Sequence, residues 1–326
     1  MLKVSLVIHE DVVLSAVAGV IDMLEAVNKL RSSSGQPPAF KLELVSEKVK
    51  NVQLDVPAQF LCYTTMAETE QTDLIIVPSY KPDYREVLKK NQAVVDWIIR
   101  MHQAGTEVAS LCIGSFFLAE AGLLNGKEAT SHWMVVDEMQ MYYPLINVKS
   151  DKVITDQNGI YTSGGAFSSL KLILYLIEKF CGRETAVWTS KRFSVELENN
   201  TQSHFAVFTG QHQHNDAEIL KTQVFIEKNF AKDVSVEEIS ALTSTGKRNF
   251  LRRFKAATNN TPLEYMQRVR IEAAKKAIEE SEPSLDQLMR ITGYKDVKTF
   301  RMIFKRVTGL SPQEYRKKYS RLSAFA

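Results

Sequence analysis

Cys112 stands in the run Ser110-Leu111-Cys112-Ile113-Gly114-Ser115-Phe116, after a strand-like apolar segment and before a helical one. A residue at such a junction sits outside the carboxyl edge of a sheet, where α/β folds place reactive groups. Gly114 would allow a sharp elbow, and the free amides and positive helix end beyond it would favour the Cys112 thiolate. His132, in Ala129-Thr130-Ser131-His132-Trp133, follows soon enough to fold back toward it. Thiolate and imidazole together are equipment for nucleophilic catalysis, and a low-pKa thiol alone serves as a redox switch. A lone cysteine is more often an inert buried residue, and a lone histidine a structural one. The junction lifts Cys112 above that background, and His132 gains only by association.

A different chemistry is written twice in residues 235–318. The first copy opens with Ser235-Val236-Glu237-Glu238-Ile239 and runs to Phe250-Leu251-Arg252-Arg253-Phe254-Lys255. It closes with Thr258, Thr261-Pro262 and Glu264-Tyr265. The second opens with Ser284-Leu285-Asp286-Gln287-Leu288, runs to Phe300-Arg301-Met302-Ile303-Phe304-Lys305, and closes with Thr308, Ser311-Pro312 and Glu314-Tyr315. Ser235 with Glu238, and Ser284 with Gln287, fit capping boxes at helix starts. Thr292-Gly293-Tyr294 suits a tight helix-helix turn, whereas Ser244 and Gly246 make the first copy's turn less regular. Two helix-turn-helix repeats follow, at about 235–257 and 284–307.

Second helices are expected over Lys247–Ala257 and Asp296–Val307. Phe250 with Phe254, and Phe300 with Phe304, are four apart and so face a core. Lys247, Arg248, Arg252 and Lys255 are then left outward in one copy, and Lys298, Thr299, Arg301, Met302 and Lys305 in the other. Basic residues on a helix are usually just a solvated face. Here the charge distribution argues otherwise. Residues 217–326 hold 22 basic and 13 acidic residues, while residues 1–216 hold 19 and 25. A basic pair of helices suits the major groove, where arginine grips a guanine edge with two bonds, and lysines near phosphates add salt-dependent affinity.

The elements that must position these groups follow in chain order. Lys3–His9 reads as a strand, Leu14–Leu30 as a helix, and Phe40–Ser46 as an alternating strand. Asp73–Val77 is the short apolar run of a strand buried on both faces. A helix over Val87–Ala104, a strand over Glu107–Leu111 and a helix over Ile113–Leu123 come next. Val148–Thr162 reads as strands turning at Asn158-Gly159, and Phe167–Phe180 as a helix. Strand then helix, repeated, predicts a doubly wound α/β sheet. Glu196–Asp216 is polar without period and reads as the linker between a domain at 1–195 and one at 217–326. His212 and His214 lie inside it without further ligands, so no metal site is assigned.

The 326 residues, 44% of them apolar, suffice for two real cores. No apolar run reaches the ~18 residues of a membrane span. The N-terminus reads as a strand rather than a signal peptide. Cys62, Cys112 and Cys181 are scattered and odd in number, which points to a reducing cytoplasm rather than disulfides.

At the duplicated signature F-x-x-x-F-K-x-x-T-x-x-[ST]-P-x-E-Y, the last third of the chain resembles the AraC-type transcription regulators. The resemblance implies seven helices, with two recognition helices entering successive major grooves of double-stranded DNA. By position, Arg248, Arg252, Lys298, Arg301 and Met302 would read bases, and Lys247, Thr299 and Lys305 would touch the backbone. Residues 1–190 resemble the PfpI-type, class I glutamine amidotransferase-like domain, of flavodoxin-like fold, as found in GlxA-like regulators. The residues that carry this are Cys112-x-Gly114-Ser115-Phe116-x-Leu118-Ala119, Ala121-Gly122-Leu123-Leu124-x-Gly126, Ala129-Thr130-x-His132-Trp133 and Tyr161-Thr162-Ser163-Gly164-Gly165.

Enzymes of that superfamily pair the elbow cysteine with an acid from the first helix. The matching position here is Ala16, which cannot ionise, and the frequent Pro-Gly-Gly strand end reads Pro78-Ser79-Tyr80. A nucleophile without its tuned partner is slow. The expectation is therefore a non-catalytic, homodimeric regulator that uses no cofactor. Its cleft, lined by Cys112, Ile113, Ser79, Tyr80, His132 and Trp133, would hold a small-molecule effector. The alternatives are a Cys112-dependent amidase or hydratase-like enzyme, or a redox sensor, fused to DNA binding.

Overall fold

The computed structural model describes residues 1–48, 51–81, 83–197, 201–281 and 283–320. Residues 198–200 of the expected linker and 321–326 of the expected C-terminal domain lie outside them. The chain divides into two compact units, one ending at Gln202 and the next starting at Ser203.

The first unit is built on a seven-stranded sheet. Across it run Ile154–Asp156, Ile160–Ser163, Glu107–Ser110, Leu74–Val77, Leu2–Val7, Phe40–Ser46 and Thr64–Thr65. Every neighbouring pair is parallel except the first, which is the hairpin turning at Asn158-Gly159. Leu74–Val77 shows why these strands read as apolar runs. Ile75 and Val77 join the core on one face, and Leu74 and Ile76 the core on the other. Helices Leu14–Ser33, Leu170–Cys181 and Arg183–Phe193 contribute to the second core, and Gln92–Gln103 with Ser115–Glu120 to the first.

Some boundaries differ from the sequence reading. The helix expected over Val87–Ala104 is two helices, Tyr84–Lys90 and Gln92–Gln103. Asn91 breaks it: its buried side chain donates to the Val87 carbonyl at 2.8 Å, a local bond that competes with the helix ladder. The helix after Gly165 starts at Leu170, because Ala166–Ser169 form a tighter 3-10 turn.

The second unit contains seven helices among the described residues, and the long one spans Pro262–Glu280 as expected. The second helices of the two repeats are Lys247–Thr258 and Val297–Thr308. Both expected capping boxes form, and Thr261 with Glu264 and Ser311 with Glu314 form two more. Phe250, Phe254, Phe300 and Phe304 are all fully buried, and each pair anchors its own core cluster with a tyrosine, Tyr265 or Tyr315. The stretch read as a linker is not free chain. Gln202 is buried in the first unit, while Phe208 packs on Tyr265 of the second and His204 is buried there.

Candidate ligand cavity and nucleic-acid interface

The elbow is strained at the cysteine itself. Cys112 has φ 57°, a left-handed conformation costly for a residue with a Cβ, whereas Gly114 is ordinary helical backbone. Gly114 is required for a different reason than a sharp turn: a Cβ there would lie 2.6 Å from the Val77 carbonyl and 2.7 Å from that of Pro78. The strained backbone is held by hydroxyls. The Cys112 N–H donates to Ser163 Oγ at 3.3 Å, and the Ser115 and Ser131 hydroxyls reach the Cys112 carbonyl at 3.1 and 3.2 Å.

Beside the elbow is a cavity of about 310 Å³. Cys112, Ile113, Ser79, Tyr80 and His132 line it, together with Val13, Ala16, Lys81, Met134, Phe167 and Leu170. Trp133 is not among the lining residues; it packs beside the His132 ring, with centroids 5.2 Å apart. Two strand ends shape the wall. Residues 11–13 and 79–81 pair through Val13 N–H to Ser79 O at 2.8 Å and Lys81 N–H to Asp11 O at 3.1 Å. Gly165 lets the His132 ring close in, since a Cβ there would lie 1.8 Å from His132 Cδ2.

The chemistry of this wall is neutral. Burial pushes the Cys112 thiol up from its ordinary value, only partly offset by the Ser79 hydroxyl and the Ala166 and Ile113 amides. The thiolate expected at the elbow is therefore not favoured: desolvation outweighs the donors around the sulfur. Burial also lowers the His132 pKa. His132 does not fold back onto the thiol; its Nδ1 accepts from the Met134 N–H at 3.1 Å. Among the described residues no carboxylate lines the cavity, and Ala16 is one of its lining residues.

No motif or period marks Gln202, which is 1% exposed. Its Nε2 donates to the Ser131 carbonyl at 2.8 Å, and the Gly165 N–H donates to its Oε1 at 3.3 Å. Gly164 leaves it room, as a Cβ there would come within 2.7 Å of Oε1. Gln202 thus ties together the main chain just before two cavity residues, His132 and Ala166.

In the second unit, Lys247, Arg248, Arg252, Lys298, Thr299, Arg301, Met302 and Lys305 are all exposed. Some already have protein partners. Lys247 pairs with Glu237, Arg252 donates to Asn249 Oδ1 at 2.9 Å, and the Thr299 hydroxyl bonds the helix-capping Asp296 at 2.7 Å. Arg253, one residue on, is no groove reader: it clamps Asp216 and Glu218, each at 2.6 Å. His212 and His214 meet Glu227 and Gln223 at 2.9 and 2.8 Å.

Residues 4–179, more than half of the chain, match the DJ-1/PfpI family. The chain belongs to the DJ-1/PfpI family. Residues 239–318 match a helix-turn-helix domain. Among its relatives is the HTH-type transcriptional regulator GbdR of Pseudomonas aeruginosa, 25% identical over 216 residues. That match covers 65% of this chain but only 58% of GbdR, less than two thirds of its length. The HTH-type transcriptional regulator GlxA of Rhizobium meliloti is 23% identical over 67% of this chain and 68% of its own. Isonitrile hydratase of Pseudomonas putida is 31% identical over 46% of this chain and 63% of the enzyme. In this DJ-1/PfpI domain the Cys112 thiol is buried with its pKa raised, and Ala16 lines the same cavity.

Proposed function

We propose that the protein is a sequence-specific, DNA-binding transcription regulator, acting in the cytoplasm as a homodimer. Its DJ-1/PfpI domain binds a small-molecule effector without turning it over. The observation that carries this reading is the duplicated, separately cored helix-turn-helix, each copy of which presents an exposed basic helix. Arg248, Arg252, Lys298, Arg301 and Met302 are the base-reading candidates, and Lys247, Thr299 and Lys305 the backbone contacts. Paired modules in a dimer multiply specificity over two half-sites. The relatives named as transcriptional regulators support it.

Gln202 offers the route from cavity to DNA. It is the last residue of the first unit, and Ser203 begins the second. An effector that shifts His132 or Ala166 moves Gln202, and with it the chain that enters the helix-turn-helix unit. Only a difference in effector affinity between the two arrangements drives such a switch.

A gel-shift assay at two salt concentrations tests DNA binding. Preference for a promoter fragment over random duplex is expected at both, and equal binding to both duplexes would sink the proposal. Alkylation tests the protonation of the thiol. Cys112 should alkylate with iodoacetamide slowly at pH 7, with the rate climbing only above about pH 9, because its folded pKa is raised and the thiolate forms only above it. Fast alkylation at pH 7 would restore the hydratase-like and redox readings.

A further inference from the structure

Every strongly polar feature of the cavity wall has the same sense. Helix Leu14–Ser33 begins at the wall, where Val13, Ser15 and Ala16 line the cavity. Its N-cap, Val13, supplies no side-chain bond, and no acidic residue lies in its first turn. Helix Leu170–Cys181 also begins there, behind the lining residues Ala166, Phe167 and Ser169, and again without an acid in its first turn. Two long helices therefore turn their positive ends on one cavity.

The side chains agree. His132 Nδ1 already accepts a hydrogen bond, so the neutral ring carries its proton on Nε2 and offers a donor. Among the described residues, Lys81 is the one permanently charged residue of the lining, and it pairs with Asp55, which does not line the cavity. Asp11, with Glu10 beside it, lies near the Lys81 backbone, but neither lines the cavity. Among the described residues there is no arginine in the wall to fork two oxygens of a dianion. Between these groups the surface is apolar, with Ile113, Met134, Val135 and Leu170.

We propose that the cavity takes a small organic monocarboxylate, its charged end toward the two helix termini, His132 Nε2–H and Lys81, and its body against the apolar wall. The proposal rests on reading the cavity as the effector site. A primary amine is disfavoured there, since among the described residues no carboxylate lines the wall to pair with it and both helix ends repel it. A phosphate would bring a second charge with no second cation to meet it.

The test is calorimetric titration of the full chain with three probes of one shape: pentanoate, pentanamide and pentylamine. Pentanoate should bind at least 10-fold tighter than pentanamide, and pentylamine should give no heat. Ser15→Asp then places a carboxylate in the wall, at an exposed first-turn position where an acid favours the helix, so the variant should fold. It should weaken pentanoate about 5- to 10-fold without lowering the melting temperature. Tighter or equal binding of pentylamine overturns the proposal, as does an unchanged pentanoate affinity in Ser15→Asp or failure of all three probes to bind. None of those results touches the gel-shift outcome, so the ligand class and the DNA-binding reading fail separately.

Discussion

The two helix-turn-helix copies carry one signature but are braced in different ways. In the second copy the turn does the bracing. Gly293 adopts φ 72°, and a Cβ there would lie 2.2 Å from the Ala231 carbonyl. In the first, Gly246 is extended backbone with nothing near a would-be Cβ, and a salt bridge replaces the turn. Arg253 on the recognition helix grips Asp216 and Glu218 at the start of helix Ala217–Asn229, and Glu218 also accepts from the Ser244 amide at 2.8 Å. A repeat in sequence thus fixes which residues face the core, while the neighbours of each copy decide how its turn is held and which cations stay free.

Reversing charge on one recognition helix at a time gives the largest effect. Arg252→Glu and Arg301→Glu should each weaken specific DNA binding roughly 10- to 100-fold in a gel shift. If only one of them matters, the two copies do not read DNA alike. Next comes the turn: Gly293→Val should destabilise the second unit by about 1–3 kcal/mol in urea titration, because strain and a backbone clash add. Gly246→Ala should stay within about 0.5 kcal/mol.

The salt-bridge brace predicts a pH signature confined to the first copy. The Ser244 amide and hydroxyl, then Arg253, hold the Glu218 pKa down at about 2, and Arg253 lowers Asp216. Their folded pKa values lie below the unfolded ones. This stability is therefore fully present above about pH 4.5 and is lost as pH falls toward 2. Arg253→Met should lower the melting temperature at pH 7, and the gap to the parent chain should shrink as acid is added. The smallest contrast concerns the caps. Ser235→Ala and Ser284→Ala should each cost ~1 kcal/mol, and equal losses would show that the copies differ at their turns and not at their helix starts.

Local rules made much of this molecule legible in advance. Period placed both second helices to within a residue of their observed ends, and the Ser-x-x-Glu and Ser-x-x-Gln boxes marked the starts of the helices before them, because neither signal needs a distant partner. Five of the six residues expected at the cleft line the cavity, since a strand end in a doubly wound sheet points there whatever its neighbours are. Trp133 falls outside the lining because its ring packs on His132, with centroids 5.2 Å apart. The broken helix at Asn91 was missed because a buried asparagine looks, in sequence, like any polar residue on a helix.

What the sequence by itself determined is the alternation of strands and helices, the duplication and the outward basic faces. All of these follow from residue type and spacing along one segment. The tertiary structure decided that the Cys112 thiol is neutral, that Arg253 is a brace, and that Gln202 is buried against Ser131 and Gly165. Each of those depends on groups from tens of residues away arriving at one place, where loss of water and gain of partners set the energy, and no local pattern records that arrival.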